Sequence, residues 1–221
     1  MHRLLLAAAA AALLAPTASQ AQLSLGARLG YAIPMGDAFK DPSDGSKEKL
    51  SDGVKGAIPI QLDAAYKLSP HLAVGAYFSY GFGLVNESKA MGGGICDQSG
   101  VDCSAKVIRL GVQATWTMTY LSKTFVPWAS AGAGWEWASL DAEAGGVSAS
   151  YSLSGPEFLN LQLGADYRVA EKASVGPYLG LALAQYSKAE VDVPGFGSGE
   201  MDIDKTLHQW LGFGVRGTFD L

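Results

Sequence analysis

From Leu211 to Leu221 every second residue except Gly217 is apolar: Leu211, Phe213, Val215, Phe219 and Leu221. Their neighbours His208, Trp210, Gly212, Gly214, Arg216, Thr218 and Asp220 are small, polar or charged, with Trp210 the one large exception. A period of two over this length specifies a strand with one greasy face and one polar face. The apolar face needs a cover. Another sheet would provide it in water; acyl chains would provide it in a bilayer. The remainder of the chain decides between them.

Seven more segments carry the same alternation. They run over Leu23 to Pro34, Ala57 to Leu68, His71 to Val85, Ala105 to Leu121, Phe125 to Leu140, Leu153 to Val169 and Ala173 to Lys188. The links between the eight segments alternate long and short, with tight turns at Ser69-Pro70, Ser122-Lys123 and Ala170 to Lys172. That rhythm predicts an all-β chain: an eight-stranded antiparallel up-and-down transmembrane β-barrel of meander topology, short turns on the periplasmic side and longer loops outside. Each segment exceeds the roughly 9–11 residues that a tilted membrane strand requires. An open sheet would leave unpaired backbone in hydrocarbon, so strand one must close against strand eight. Aromatic residues fall toward strand ends, among them Tyr31, Tyr66, Tyr120, Trp135, Trp137 and Tyr167, as interfacial girdles do.

Residues 1–21 read as a secretory signal peptide. Arg3 gives the positive start, Leu4 to Ala15 the apolar run, and Ser19-Gln20-Ala21 the small-x-small cleavage site. The expected division is a leader over 1–21 and an outer-membrane barrel domain over 22–221. In an exported chain, Cys96 and Cys103, the only cysteines, are expected to form a disulfide across a short loop. A formal charge of −5 argues against a nucleic-acid surface.

The pattern of the whole mature chain resembles the small eight-stranded outer-membrane barrels of Gram-negative bacteria, and is similar to the transmembrane domain of outer membrane protein A and to the outer membrane protein X and W families. Members usually end in an aromatic residue preceded by apolar residues at every second place, a signal the assembly machinery reads. Here Phe219 and Leu221 keep the spacing. The resemblance implies outer-membrane location and contact with outer-membrane lipids, lipopolysaccharide and the assembly machinery, for a chain expected to be monomeric.

Eight strands enclose an interior that side chains can fill. The inward set is expected to hold a charged network of Arg28, Asp63, Lys67, Arg109, Glu136, Asp166, Arg168 and Arg216. Charges removed from water must be paired. One pairing follows from register: if the chain reverses between Ser122 and Lys123, facing residues have numbers that sum to 245, and Arg109 then meets Glu136. The network reads as a polar plug, with a gate or polar path as the other reading.

Catalysis is not expected. Of the histidines in the mature chain, His71 adjoins a turn and His208 points inward near the outer end of the last strand, and neither has a placed nucleophile. The acidic link Glu190 to Asp204 matches no calcium loop, and Gly92-Gly93-Gly94 precedes no helix, so neither a metal nor a cofactor is implied. The sequence thus favours a structural, envelope-integrity or surface-interaction role. The other reading is a transporter of small apolar molecules, as the resemblance to the W family implies.

Overall fold

The computed structural model describes residues 23–42, 45–90, 94–119, 121–122, 124–193, 197–201 and 203–221. The leader, Asp44, Gly92, Gly93, Tyr120, Lys123 and Asp202 lie outside them. Eight long strands form a ring. In chain order they are β1 (Leu23–Lys40), β3 (Val54–Lys67), β4 (Leu72–Val85), β5 (Val101–Thr117), β6 (Phe125–Ala144), β7 (Val147–Arg168), β8 (Ala173–Gln185) and β12 (Leu207–Asp220). Each pairs antiparallel with its neighbours, and β1 closes on β12 from Ser24 opposite Asp220 to Gly36 opposite His208.

Parity sorts the side chains as the alternation requires. Leu29, Leu62, Val112, Leu163, Leu179 and Val215 stand on the outside, each more than half exposed. Arg28, Asp63, Gln113, Asn160 and Gln162 are buried inside. A soluble protein does not expose a belt of this kind; hydrocarbon is its solvent. The turns at the narrow-linked end are fixed by serine. Ser69 Oγ accepts hydrogen bonds from the backbone N–H groups of His71 and Leu72, and Ser122 Oγ from those of Thr124 and Phe125.

The other end departs from the expectation. The third outer link is no loop: β6 and β7 continue as one hairpin to a two-residue turn at Gly145-Gly146, where φ is positive at both (58° and 84°) and glycine is the natural occupant. The acidic link contains β9 (Lys188–Val193) and β10 (Gly197–Met201), a hairpin that pairs with the outer part of β7, from Ser150 opposite Asp192 to Ser154 opposite Lys188. The first link contains β2 (Lys47–Lys49) and the single turn α1 (Leu50–Gly53), and β11 (Asp204–Lys205) pairs with the outer part of β1. β1 runs on to Lys40 rather than stopping at Pro34, and β5 starts at Val101 and ends at Thr117. Above the membrane the ring therefore divides into two raised walls. One is β5–β6–β7–β9–β10; the other is β2–β1–β11. The rings of Phe39 and Tyr151 meet between them, 6.1 Å apart.

Cys96 and Cys103 are bonded, closing the turn between residues 96 and 103 just where β5 begins. The loop forms no part of the strand pairing of the ring, so Cys96→Ser is expected to leave the barrel folded and to open the 94–100 segment to protease. Limited proteolysis followed by mass measurement of the fragments checks this; a barrel that fails to assemble would refute it.

Candidate functional site

Two charged layers cross the interior. The one nearer the short turns is built from β1, β3, β5, β6, β7 and β12. Arg28 lies 3.0 Å from Asp63, which also accepts hydrogen bonds from Gln61 (2.8 Å) and Gln113 (2.9 Å). Asp166 accepts a bond from the indole of Trp128 at 2.8 Å and sits 3.9 Å from Arg216. Both guanidinium groups stack on Trp128, at 5.4 Å for Arg28 and 4.0 Å for Arg216. Two cations face two carboxylates here, so the layer is neutral within itself.

The outer layer centres on Glu136, which is 0% exposed. Strands β5 and β6 pair in the register whose numbers sum to 245, so Arg109 stands opposite Glu136, with its Nε 2.7 Å from Oε2. The other carboxylate oxygen accepts from the Tyr186 hydroxyl (2.6 Å) and the Trp210 indole (3.3 Å), and lies 3.0 Å from His208 Nε2. The His208 ring stacks on Tyr186 at 4.1 Å, and Arg109 lies over Trp210 at 5.2 Å. A second carboxylate, Glu157, is 3.6 Å from Arg109 and accepts bonds from Tyr77 and Asn160. Gly155, directly opposite Glu136, leaves the room: a Cβ there would strike the backbone at Gln185 and Tyr186.

Six of the eight expected network residues meet in these layers. Two do not. Lys67 lies at the rim, 31% exposed, and pairs with Asp220 at 2.6 Å. Arg168 is exposed at the last position of β7. Both belong to strand ends, where the interior opens to water and a charge needs no partner. Glu157 is the participant that alternation missed. It shares its odd parity with the outward Leu161 and Leu163, but a bulge between Glu157 and Leu159 turns the outer half of β7 over. The adjacent apolar pair Phe158-Leu159 is the sequence trace of that slip.

Above the Glu136 layer the interior is apolar. The buried hydrophobic cluster of the barrel gathers here, and it surrounds a cavity of about 430 Å³ between the two raised walls. Leu50, Val54, Val107, Leu153 and Phe39 line it, with Trp210 as the floor. The hydroxyl of Tyr151, also on its wall, is buried and finds no hydrogen-bond partner among the described residues. Burial, and then the nearby carboxylate of Glu48, holds that hydroxyl above the ordinary tyrosine value, so it remains a donor. Lys49, Asp52, Lys89 and Lys106 ring the opening. Among the described residues no group of three or more His, Cys, Asp or Glu could hold a metal ion; Glu190 and Glu200 simply face each other across the β9–β10 hairpin.

Comparison with known proteins agrees with this architecture. The model of the family described as outer membrane protein β-barrel domain matches residues 4–177. Among solved structures, a major outer membrane protein of Thermus thermophilus superposes with a TM-score of 0.62 at 11% identity, over 92% of this chain and all (100%) of that one. OprG of Pseudomonas aeruginosa gives 0.49 at 16% identity, over 92% and 98%. Neisserial surface protein A gives 0.45 at 15%, over 88% and 95%. No curated protein matches the chain. At 11% identity the likeness to the Thermus protein speaks for the fold alone.

Proposed function

Since this chain belongs to the outer membrane protein β-barrel domain family and resides in the outer membrane, we propose that it captures small, mainly apolar molecules in the cavity at its outer mouth while its interior stays closed to ions. The observation that carries this reading is the apolar cavity standing directly above a paired charge layer. Pockets that take small ligands are concave, mostly apolar and fitted with a few polar groups that set orientation. Here Tyr151 is that group: a ligand with an apolar body and one acceptor oxygen would satisfy its hydroxyl. Below the cavity, Arg109, Glu136 and Glu157 pair across the interior, and the Arg28 and Arg216 layer repeats the arrangement; an ion crossing them would have to break charge-assisted bonds in a confined space. We read these layers as the plug, and the barrel as a monomer with no reaction of its own, delivered by the assembly machinery.

A surface-interaction role is the second reading, favoured by the raised β5–β6–β7–β9–β10 wall, which offers a broad firm face beyond the membrane. Planar-bilayer recording combined with uptake of a labelled medium-chain alcohol into proteoliposomes separates the two. Apolar capture with a closed interior is expected to give no steady ion current and measurable uptake. A steady ohmic current would overturn the plug; absence of both current and uptake would favour the surface role.

A further inference from the structure

The two interior layers are unequal in charge. In the layer nearer the short turns Arg28 and Arg216 answer Asp63 and Asp166, and the sum is zero. In the outer layer one guanidinium, Arg109, answers two carboxylates, Glu136 and Glu157, whose side chains are both 0% exposed. His208, Tyr186, Trp210, Tyr77 and Asn160 complete the surroundings, and with the imidazole neutral none of them supplies a positive charge. One Glu157 oxygen serves Tyr77 and Asn160; the other is buried and makes no hydrogen bond among the described residues. One unit of negative charge is therefore left over beneath the cavity. Trp210, the cavity floor, donates its indole N–H to Glu136 across 3.3 Å, so a single ring separates the cavity from the layer. Over that distance a buried charge is screened far less than it would be in water.

The cavity's own lining does not cancel the surplus. Lys49, Lys89 and Lys106 at the opening are matched by Asp41, Glu48 and Asp52. What the lining adds is aromatic: Phe39 and Tyr151, with ring centroids 6.1 Å apart, and Trp210 below. The faces of such rings attract cations, quaternary ammonium groups among them.

We propose that the ligand held best in this cavity is an amphiphilic cation, an apolar body that bears one quaternary ammonium group. This rests on the capture role given above and names which of the small apolar molecules is preferred. An alkylated ammonium has no N–H to satisfy, so a lining poor in acceptors suits it better than it suits a primary amine. Its charge offsets the one that Arg109 leaves unanswered, and its methyl groups lie against Phe39, Tyr151 and Trp210. An ester or ether oxygen in the body would meet the Tyr151 hydroxyl. A carboxylate of the same size would instead meet the leftover charge with like sign.

The test is calorimetric titration of the full barrel in nanodiscs of zwitterionic lipid, with the signal of empty nanodiscs subtracted. The probes share an octyl chain: octyltrimethylammonium, its neutral analogue with tert-butyl in place of trimethylammonium, and octanoate. The ammonium probe is expected to bind roughly tenfold more tightly than the neutral one, the scale of one unbalanced charge about 10 Å away at an effective dielectric constant of about 20. Octanoate is expected to bind more weakly than either. Glu157→Gln, which removes the surplus charge and keeps the shape, is expected to bring the ammonium and neutral probes level and to leave the neutral one unchanged. Equal binding of those two probes by the unmodified protein overturns the proposal while the capture role stands, and needs no variant to fold. Binding of none of the probes overturns the capture role, and this proposal with it. Where the Glu157 variant keeps its heat-shifted gel mobility, an undiminished preference for the ammonium overturns the proposal as well.

Discussion

Replacing Glu136 by alanine is expected to lower the stability of the barrel by roughly 3–5 kcal/mol, the cost of breaking a buried ion pair from one side. The carboxylate serves four groups at once: Arg109, Tyr186, His208 and Trp210. Its loss leaves the Arg109 guanidinium with Glu157, 3.6 Å away, as its one carboxylate among the described residues, and strips the buried hydroxyl and indole of their acceptor. Arg109→Ala should be comparably severe, because it abandons two buried carboxylates. An exposed pair sets the contrast: Lys47→Ala, which removes the Lys47–Asp37 bridge where the lysine is 61% exposed, is expected to cost at most about 1 kcal/mol. The temperature at which the folded band disappears on a heated gel measures all three. Equal temperatures for the Glu136 variant and the parent would mean the centre of the outer layer carries no weight.

The second large effect concerns the cavity. Leu153 projects into it from β7 and is 7% exposed. Leu153→Lys removes an apolar wall worth about 1.5–3 kcal/mol when covered and brings an ammonium toward the ligand's place. Affinity for a medium-chain alcohol is expected to fall roughly 10–100-fold, with the barrel still assembled because lysine can extend to the ring of polar residues at the opening. Titration in nanodiscs, followed through the fluorescence of Trp210 on the cavity floor, reads this out. Unchanged affinity would place the ligand elsewhere.

How far the sequence could be read depended on what each segment faces. Where one face meets lipid and the other the interior, alternation is enforced, and both the ring of eight and the opposition of Arg109 and Glu136 followed from it. Above the membrane the outer face of a strand is wet and the inner face is packed by small residues around a cavity, so the contrast between the two faces weakens. Asp141 to Ser152 is therefore a run of small and polar residues that looks like a loop, although it forms a regular hairpin. The same holds for β9 and β10. Glu157 was hidden for another reason: one extra residue in β7 exchanges the two faces, and parity counted from Leu161 assigns everything beyond it wrongly. The cavity could not be read at all. Its lining comes from β1, β2, α1, β3, β5, β6, β7, β9, β10 and β12, and each contributes between one and four residues that look like ordinary core or surface.

The uneven height of the rim sets the direction from which this barrel can be approached. β6 and β7 have 20 and 22 residues, whereas β8 has 13 and β12 has 14. At about 3.3 Å per residue and the usual tilt, the difference amounts to a step of roughly 15 Å. The β3–β4 side is roofed by α1, whose Ser51 carbonyl accepts a hydrogen bond from Asn86. The low sill is left above β8 and β12. Under the proposed capture role, a molecule dissolved among the acyl chains meets that sill before it meets the sugars above.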